Sequence, residues 1–266
     1  MPFIFRPLAI AARDIGQGFR KLPLWRYMAF RELRLRYARS FIGPFWITIS
    51  MGLWVIALPL LYGGLFGAPL EEVAPFITLG VVIWTYLQAV MTEGSTSLMQ
   101  AKGMLEQMET PISTFVWLVV LRNVIVAGHH MTIFVILIFL YGLWPNMNWL
   151  WLGIGLPILL TAGFAMCLFV AVLTPRFRDI APLTTNFMTV GFFLSPVMWR
   201  PSDLQKNEFI VDYNPFTHLM AVFREPLLGR TPDMISIIVS AAIALGLLLI
   251  AMLLLGQKKH KIIFWL

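Results

Sequence analysis

Within the stretch 24–43, Arg31, Arg34, Arg36 and Arg39 recur among apolar and aromatic residues. A guanidinium is a planar fork of donors that fits phosphate oxygens in pairs. A row of them can therefore hold an anionic lipid headgroup such as a pyrophosphate. The same row can equally serve as a plain anchor on the basic side of a membrane protein, and the residues alone leave both readings open. At about 100° per residue, Leu24, Met28 and Leu35 fall on one apolar stripe. Phe30, Leu33, Tyr37 and Phe41 fall on another, nearly opposite, with the arginines between them. A helix lying freely on lipid shows one apolar face; two stripes predict a helix wedged between protein and membrane surface.

A second polar group is Arg122-Asn123, about a third of the way along an apolar segment, with Glu93 at the end of the preceding one. A charge inside a bilayer is costly and marks either function or pairing. Here the choices are a functional role, snorkelling to the inner interface, or an ion pair with Glu93. The adjacent His129 and His130 point about 100° apart, whereas helical zinc pairs need a spacing of four residues, so no metal site is expected. There is no Gly-rich phosphate loop, no nucleophile elbow and no pair of carboxylates at a segment end. The apolar segments hold Asp and Glu only at their ends, which argues against a proton-coupled carrier. Cys167, the one cysteine, excludes disulfides and thiolate metal clusters and reads as a small buried hydrophobe. The chain itself is expected to bind no cofactor, so energy for driven work must come from a partner or an ion gradient.

Composition says what positions these residues. Of 266 residues, 59% are hydrophobic and 12% charged, about half the charge of a soluble domain, and the mean hydropathy is +0.80. This is an all-α integral membrane protein. A span needs about 20 apolar residues. Uncharged stretches run from Pro44 to Phe66 and from Val73 to Thr92. The 53 residues from Asn123 to Pro175 carry no Asp, Glu, Lys or Arg, too many for one crossing. They must turn at Tyr141–Asn148, giving one span from about Pro111 and another over Trp149–Leu173. A fifth covers Ile180–Trp199 and a sixth Met234–Gln257, so six spans put both termini on one side.

The basic residues orient the chain. With both termini cytoplasmic, the inside holds fifteen Lys and Arg against six acids, and the outside four against seven. The net charge of +7 and pI near 9.9 thus report topology, not nucleic-acid binding. The apolar start, Met1–Ala12, is broken by Arg6 and lacks the long apolar core of a cleavable signal peptide.

The expected organisation is a cytoplasmic segment 1–43 with the basic interface helix, a six-span domain 44–257, and a cytoplasmic tail 258–266. The first cytoplasmic loop, 93–111, suits a short helix that accepts force from a soluble subunit, with Lys102, Gly103, Leu105, Glu106, Gln107 and Glu109 as contact residues. The turn 174–180 is too tight for more than a local ion pair. In the external segment 200–233, Phe216, Leu219, Met220, Phe223 and Leu227 recur at helical spacing and end at Gly229. Ser195-Pro196 breaks the fifth span, so the chain there dips back rather than leaving cleanly. Trp46, Trp54 and Tyr62, with Phe192, Phe193 and Trp199, are candidates to line a conduit on which sugar C–H faces rest.

Several of these segments resemble the permeases of ABC-2-type polysaccharide exporters. Arg34-Leu35-Arg36-Tyr37-Ala38-Arg39-Ser40-Phe41-Ile42-Gly43-Pro44-Phe45-Trp46 is similar to their opening signature, with Ile42 where leucine is usual. The stretch from Leu105 to Asn123, with Pro111, Val116 and Arg122, looks like their junction into the third span. Arg176-Phe177-Arg178-Asp179-Ile180 resembles their inner turn, and Ser195-Pro196-Val197-Met198-Trp199 and Asn214-Pro215-Phe216 resemble their outer-mouth elements. His130 is followed by Met131 where the family often has asparagine. The likeness runs from about Leu24 to Gly256 and is nearest to O-antigen exporter permeases of the Wzm type, with capsule and teichoic-acid permeases as cousins.

The resemblance implies a homodimer in the inner membrane carrying two copies of a separate nucleotide-binding ATPase, which holds ATP and Mg. The cargo it implies is a polyprenyl-pyrophosphate-linked polysaccharide moved from cytoplasm to periplasm. It places Arg31, Arg34, Arg36 and Arg39 on a headgroup-facing gate helix, Lys102–Glu109 in the coupling helix, and short periplasmic gate helices within 201–228. Rival readings are an exporter of drugs or lipo-oligosaccharides, a membrane transferase acting on polyprenyl lipids, and a structural scaffold.

Overall fold

The computed structural model describes residues 2–38, 45–66, 69–201 and 211–266. Among these it is helical, with no strand. In chain order the helices are α1 (Pro2–Arg20), α2 (Leu22–Tyr37), α3 (Phe45–Phe66), α4 (Leu70–Gln100), α5 (Lys102–Gln107), α6 (Ser113–Tyr141), α7 (Leu152–Leu173), α8 (Ile180–Leu194), α9 (Pro215–Leu227) and α10 (Met234–Trp265), with a 3₁₀ turn at Met147–Trp151. Four segments are long and apolar enough to cross a bilayer: α4, α6, Met147–Leu173 and α10. The other two expected spans correspond to shorter apolar segments, Thr48–Leu61 within α3 and Ile180–Leu194.

Local chemistry sets the breaks. The long uncharged run divides at Gly142, whose φ of 68° closes α6 in the left-handed conformation that glycine adopts without strain. Asn146 and Asn214 each cap the element after them by accepting a backbone N–H two residues on. Small residues let the central helices approach closely, as membrane bundles require. A Cβ on Gly94 of α4 would meet Cys167 of α7, and one on Gly163 of α7 would meet the Tyr86 ring. Cys167 is fully buried and unpaired. The core lies where α4 and α7 meet, with α6 and α10 packed against them.

The first helix was not evident from the residues. Around α1, Ala11, Asp14 and Gly18 are buried, Phe5 and Phe19 are exposed, and Arg13 and Arg20 are exposed on a third side. The buried side crosses α10 so closely that a Cβ on Gly256 would overlap the Pro7 carbonyl. α2, expected over 24–43, begins at Leu22 and ends at Tyr37. Arg39 and the rest of that segment up to Pro44 lie outside the described residues.

Candidate functional site

The charged residues singled out in the sequence meet where α2 crosses α4 and α6. Arg122, buried on α6, donates from Nε and Nη2 to Glu93 Oε2 of α4 at 3.1 and 2.7 Å. Its Nη1 pairs with Glu32 of α2. Asn123 Nδ2 donates to the same Glu93 oxygen at 2.7 Å, and Arg36 of α2 reaches Glu93 Oε1 at 3.1 Å. Two carboxylates and two guanidinium groups thus neutralise one another across three helices. A buried guanidinium demands such compensation, and the Arg122–Glu93 ion pair that the sequence offers is present. Glu32 was counted in the sequence only as an acid on the basic side.

The arginines of α2 therefore separate into two roles. Arg36 turns inward to Glu93. Arg31 and Arg34 stay exposed and, with Arg26, Tyr27 and Phe30, line an open groove of about 620 Å³. This open face of α2, basic with exposed aromatic side chains, can take an anionic group that carries an apolar part.

Directly below the ion cluster, Ala101 alone separates α4 from α5. Leu105 is buried and fixes α5 to the bundle, while Lys102, Gly103, Glu106 and Gln107, and Glu109 beyond the helix end, are exposed. Lys102 Nζ donates to the Leu266 carbonyl at 2.8 Å and lies 3.7 Å from Glu106. Arg176 of the 174–180 turn sits 5.8 Å over the Trp265 ring. The last turn of α10 thus touches both connections at this end of the bundle. Asp14 adds a further tie, since its carboxylate accepts the Ile112 and Ser113 amides at the start of α6 at 3.3 and 2.9 Å.

At the opposite end the chain turns back on itself after α8. Ser195 and Val197 are fully buried, and the Val197 carbonyl lies against Gly80, where a Cβ would overlap it. Asn214 Nδ2 donates to the Leu194 carbonyl and Ser195 Oγ at 3.0 and 3.1 Å. Arg224 of α9, fully buried, donates to the Pro196 carbonyl at 2.6 Å and stacks 3.8 Å from the Phe76 centroid. Burial pushes its guanidinium down to about 10, which leaves it charged at neutral pH. Nothing in the sequence signalled its burial, since it reads there as one more external charge.

The aromatics are spread over three elements. Trp46 and Trp54 are exposed on α3, Phe193 is exposed on α8, and Phe192 packs edge-on against Trp84. Trp199 is part-buried and donates to the Phe193 carbonyl at 3.2 Å. The Tyr62 side chain lies outside the described residues. α3 and α8 both pack on α4.

Residues 23–228 match the family described as "ABC-2 type transporter". The chain is 24% identical over 238 residues to the O-antigen export system permease protein RfbA of Myxococcus xanthus, covering 87% of this chain and 90% of that protein. It is 21% identical over 211 residues to the protein of the same name from Klebsiella pneumoniae, covering 76% and 78%.

Proposed function

The chain belongs to the ABC-2 type transporter family, and on that premise we propose that it is the membrane subunit of an ATP-driven exporter of lipid-linked polysaccharide. The cargo is a polyprenyl-pyrophosphate-linked glycan of the O-antigen kind, moved from cytoplasm to periplasm across the inner membrane. Two copies of this chain form the passage, and two copies of a separate ATPase hold ATP and Mg. Both termini are cytoplasmic. α3 and α8 cross as the short first and fifth spans, and the segment after α8, buried over Ser195–Val197, caps the outer mouth with α9.

The observation that carries the reading is the continuity from α5 to α2. α5 presents an exposed surface to a soluble partner. It joins α4 through one residue, and α4 and α6 join α2 through Glu93, Arg122, Glu32 and Arg36. Movement imposed on α5 by ATP binding is thereby felt at the helix whose free arginines, Arg31 and Arg34, receive the pyrophosphate. The exposed aromatics of α3 and α8 then face the second copy and support the glycan by stacking. A cycle of this kind needs the cargo to bind the two states with different affinity.

The test is to scramble 102–109 in the full-length chain. The expected result is normal membrane insertion with loss of ATPase co-purification and of ATP-dependent glycolipid movement in proteoliposomes. Undiminished transport would overturn the assignment of α5. Mass spectrometry of lipid co-purified with the assembled transporter tests the cargo.

A further inference from the structure

An apolar cavity of about 630 Å³ opens beside α1, among α6, α7 and α10. Its volume is in the range of small-molecule sites, and Thr161 is the one polar side chain among those lining it. A second cavity of about 180 Å³ shares Val124 and Leu160 with it and continues to Met131 and Phe223. Taken together, the α6 residues that line the two neighbouring cavities run from Trp117 to Met131, about 21 Å at the helical rise. One leaflet of hydrocarbon is roughly 15 Å deep. The path along the two cavities therefore matches the length of a lipid chain running the depth of a leaflet.

Its mouth has the marks of a membrane interface. Trp25 and Trp117 stack there with centroids 6.1 Å apart, Trp25 donating to the Gly18 carbonyl at 3.2 Å. Tryptophans of this kind settle at the headgroup level. α1 lies across the mouth with its sides sorted: Ala12 and Ile15 line the cavity, and the arginines Arg6, Arg13 and Arg20 recur every seventh residue, within about 40° of one another around the helix. The acid of α1, Asp14, is turned away, fully buried and paired with Lys259. The water side of α1 is thus uniformly cationic next to an apolar cleft.

We propose that this cleft is a site for one anionic phospholipid, with an acyl chain between α6 and α7 and its phosphate on the Arg13–Arg20 side of α1. The site is separate from the groove of Arg31 and Arg34, and it stands whatever cargo the protein exports.

The experiment is native mass spectrometry of the full-length chain, delipidated in detergent and titrated with phosphatidylglycerol, phosphatidylcholine or undecaprenyl phosphate. The expected result is one phosphatidylglycerol retained per chain, with about tenfold preference over phosphatidylcholine. Ala12→Trp and Thr161→Phe fill the cleft from opposite walls, and each reduces phosphatidylglycerol retention about tenfold at unchanged melting temperature. If one of them fails to fold, the other decides. Arg13→Gln with Arg20→Gln abolishes the preference over phosphatidylcholine without emptying the site. Equal retention of phosphatidylglycerol and phosphatidylcholine by the unaltered chain, full retention in both filled variants, or displacement of phosphatidylglycerol by equimolar undecaprenyl phosphate would each overturn the assignment.

Discussion

Asp14 holds Lys259 at 2.8 Å while the same carboxylate accepts two amides at the start of α6. One fully buried side chain of α1 therefore serves as helix cap for a span and as counter-ion for α10. Removing one partner of a buried pair costs about 3–5 kcal/mol, and loss of a cap about 1 kcal/mol. Asp14→Ala is expected to lower the melting temperature strongly, and Asp14→Asn less, since the amide oxygen still caps α6. Thermal unfolding in detergent of the two variants beside Lys259→Met checks this order; equal losses for Ala and Asn would contradict the capping role.

Arg122→Ala should destabilise the chain by about 3 kcal/mol, because Glu93 and Glu32 are then left facing one another without their cation. Replacing the buried couple together, as Glu93→Gln with Arg122→Met, should recover most of that loss, since a neutral pair carries a much smaller desolvation cost than an unpaired charge. If the ion cluster transmits movement to α2, this stable double variant is inserted and binds the ATPase but exports poorly. Melting curves and export measured on the same preparations separate the two effects.

The division among the α2 arginines gives opposite signatures. Arg31→Gln with Arg34→Gln alters only exposed side chains, so stability should stay within about 0.5 kcal/mol while export falls at least tenfold. Arg36→Gln removes a half-exposed contact to Glu93, worth up to about 1 kcal/mol, and should lower both modestly. Proteoliposome transport and thermal unfolding of the two variants provide the comparison.

Arg224→Met should free the 195–199 segment by leaving the Pro196 carbonyl without its donor, a loss of about 1–3 kcal/mol. Arg224→Lys keeps the charge but loses the flat stack on Phe76 and should fall between. Faster hydrogen exchange at Ser195–Trp199 than in α7 is the expected readout.

Most of the bundle was legible because bilayer thickness converts directly into run length. The 53-residue uncharged run had to contain a turn, and Gly142 makes it. The aromatic spacing after Asn214 likewise became α9. What stayed hidden depended on partners distant in sequence. Glu32 meets Arg122 ninety residues away, and no periodicity reports that. α1 has no long uncharged run to mark it, since Arg6 breaks its apolar start, and the sign it does carry is Arg6, Arg13 and Arg20 at seven-residue intervals on one side of a helix. Arg224 is buried by the Pro196 carbonyl and the Phe76 ring, both distant in sequence.

The 31 residues of α4 make a single rod about 46 Å long. Its foot is fused to α5 through Ala101, and near its head Gly80 and Phe76 carry the Val197 carbonyl and Arg224. A tilt of a few degrees at the foot displaces the head by several ångströms, with no relay of side chains in between. Lengthening or softening that rod, for instance by inserting one residue after Thr92, would put the two ends of the molecule out of step while leaving each locally intact.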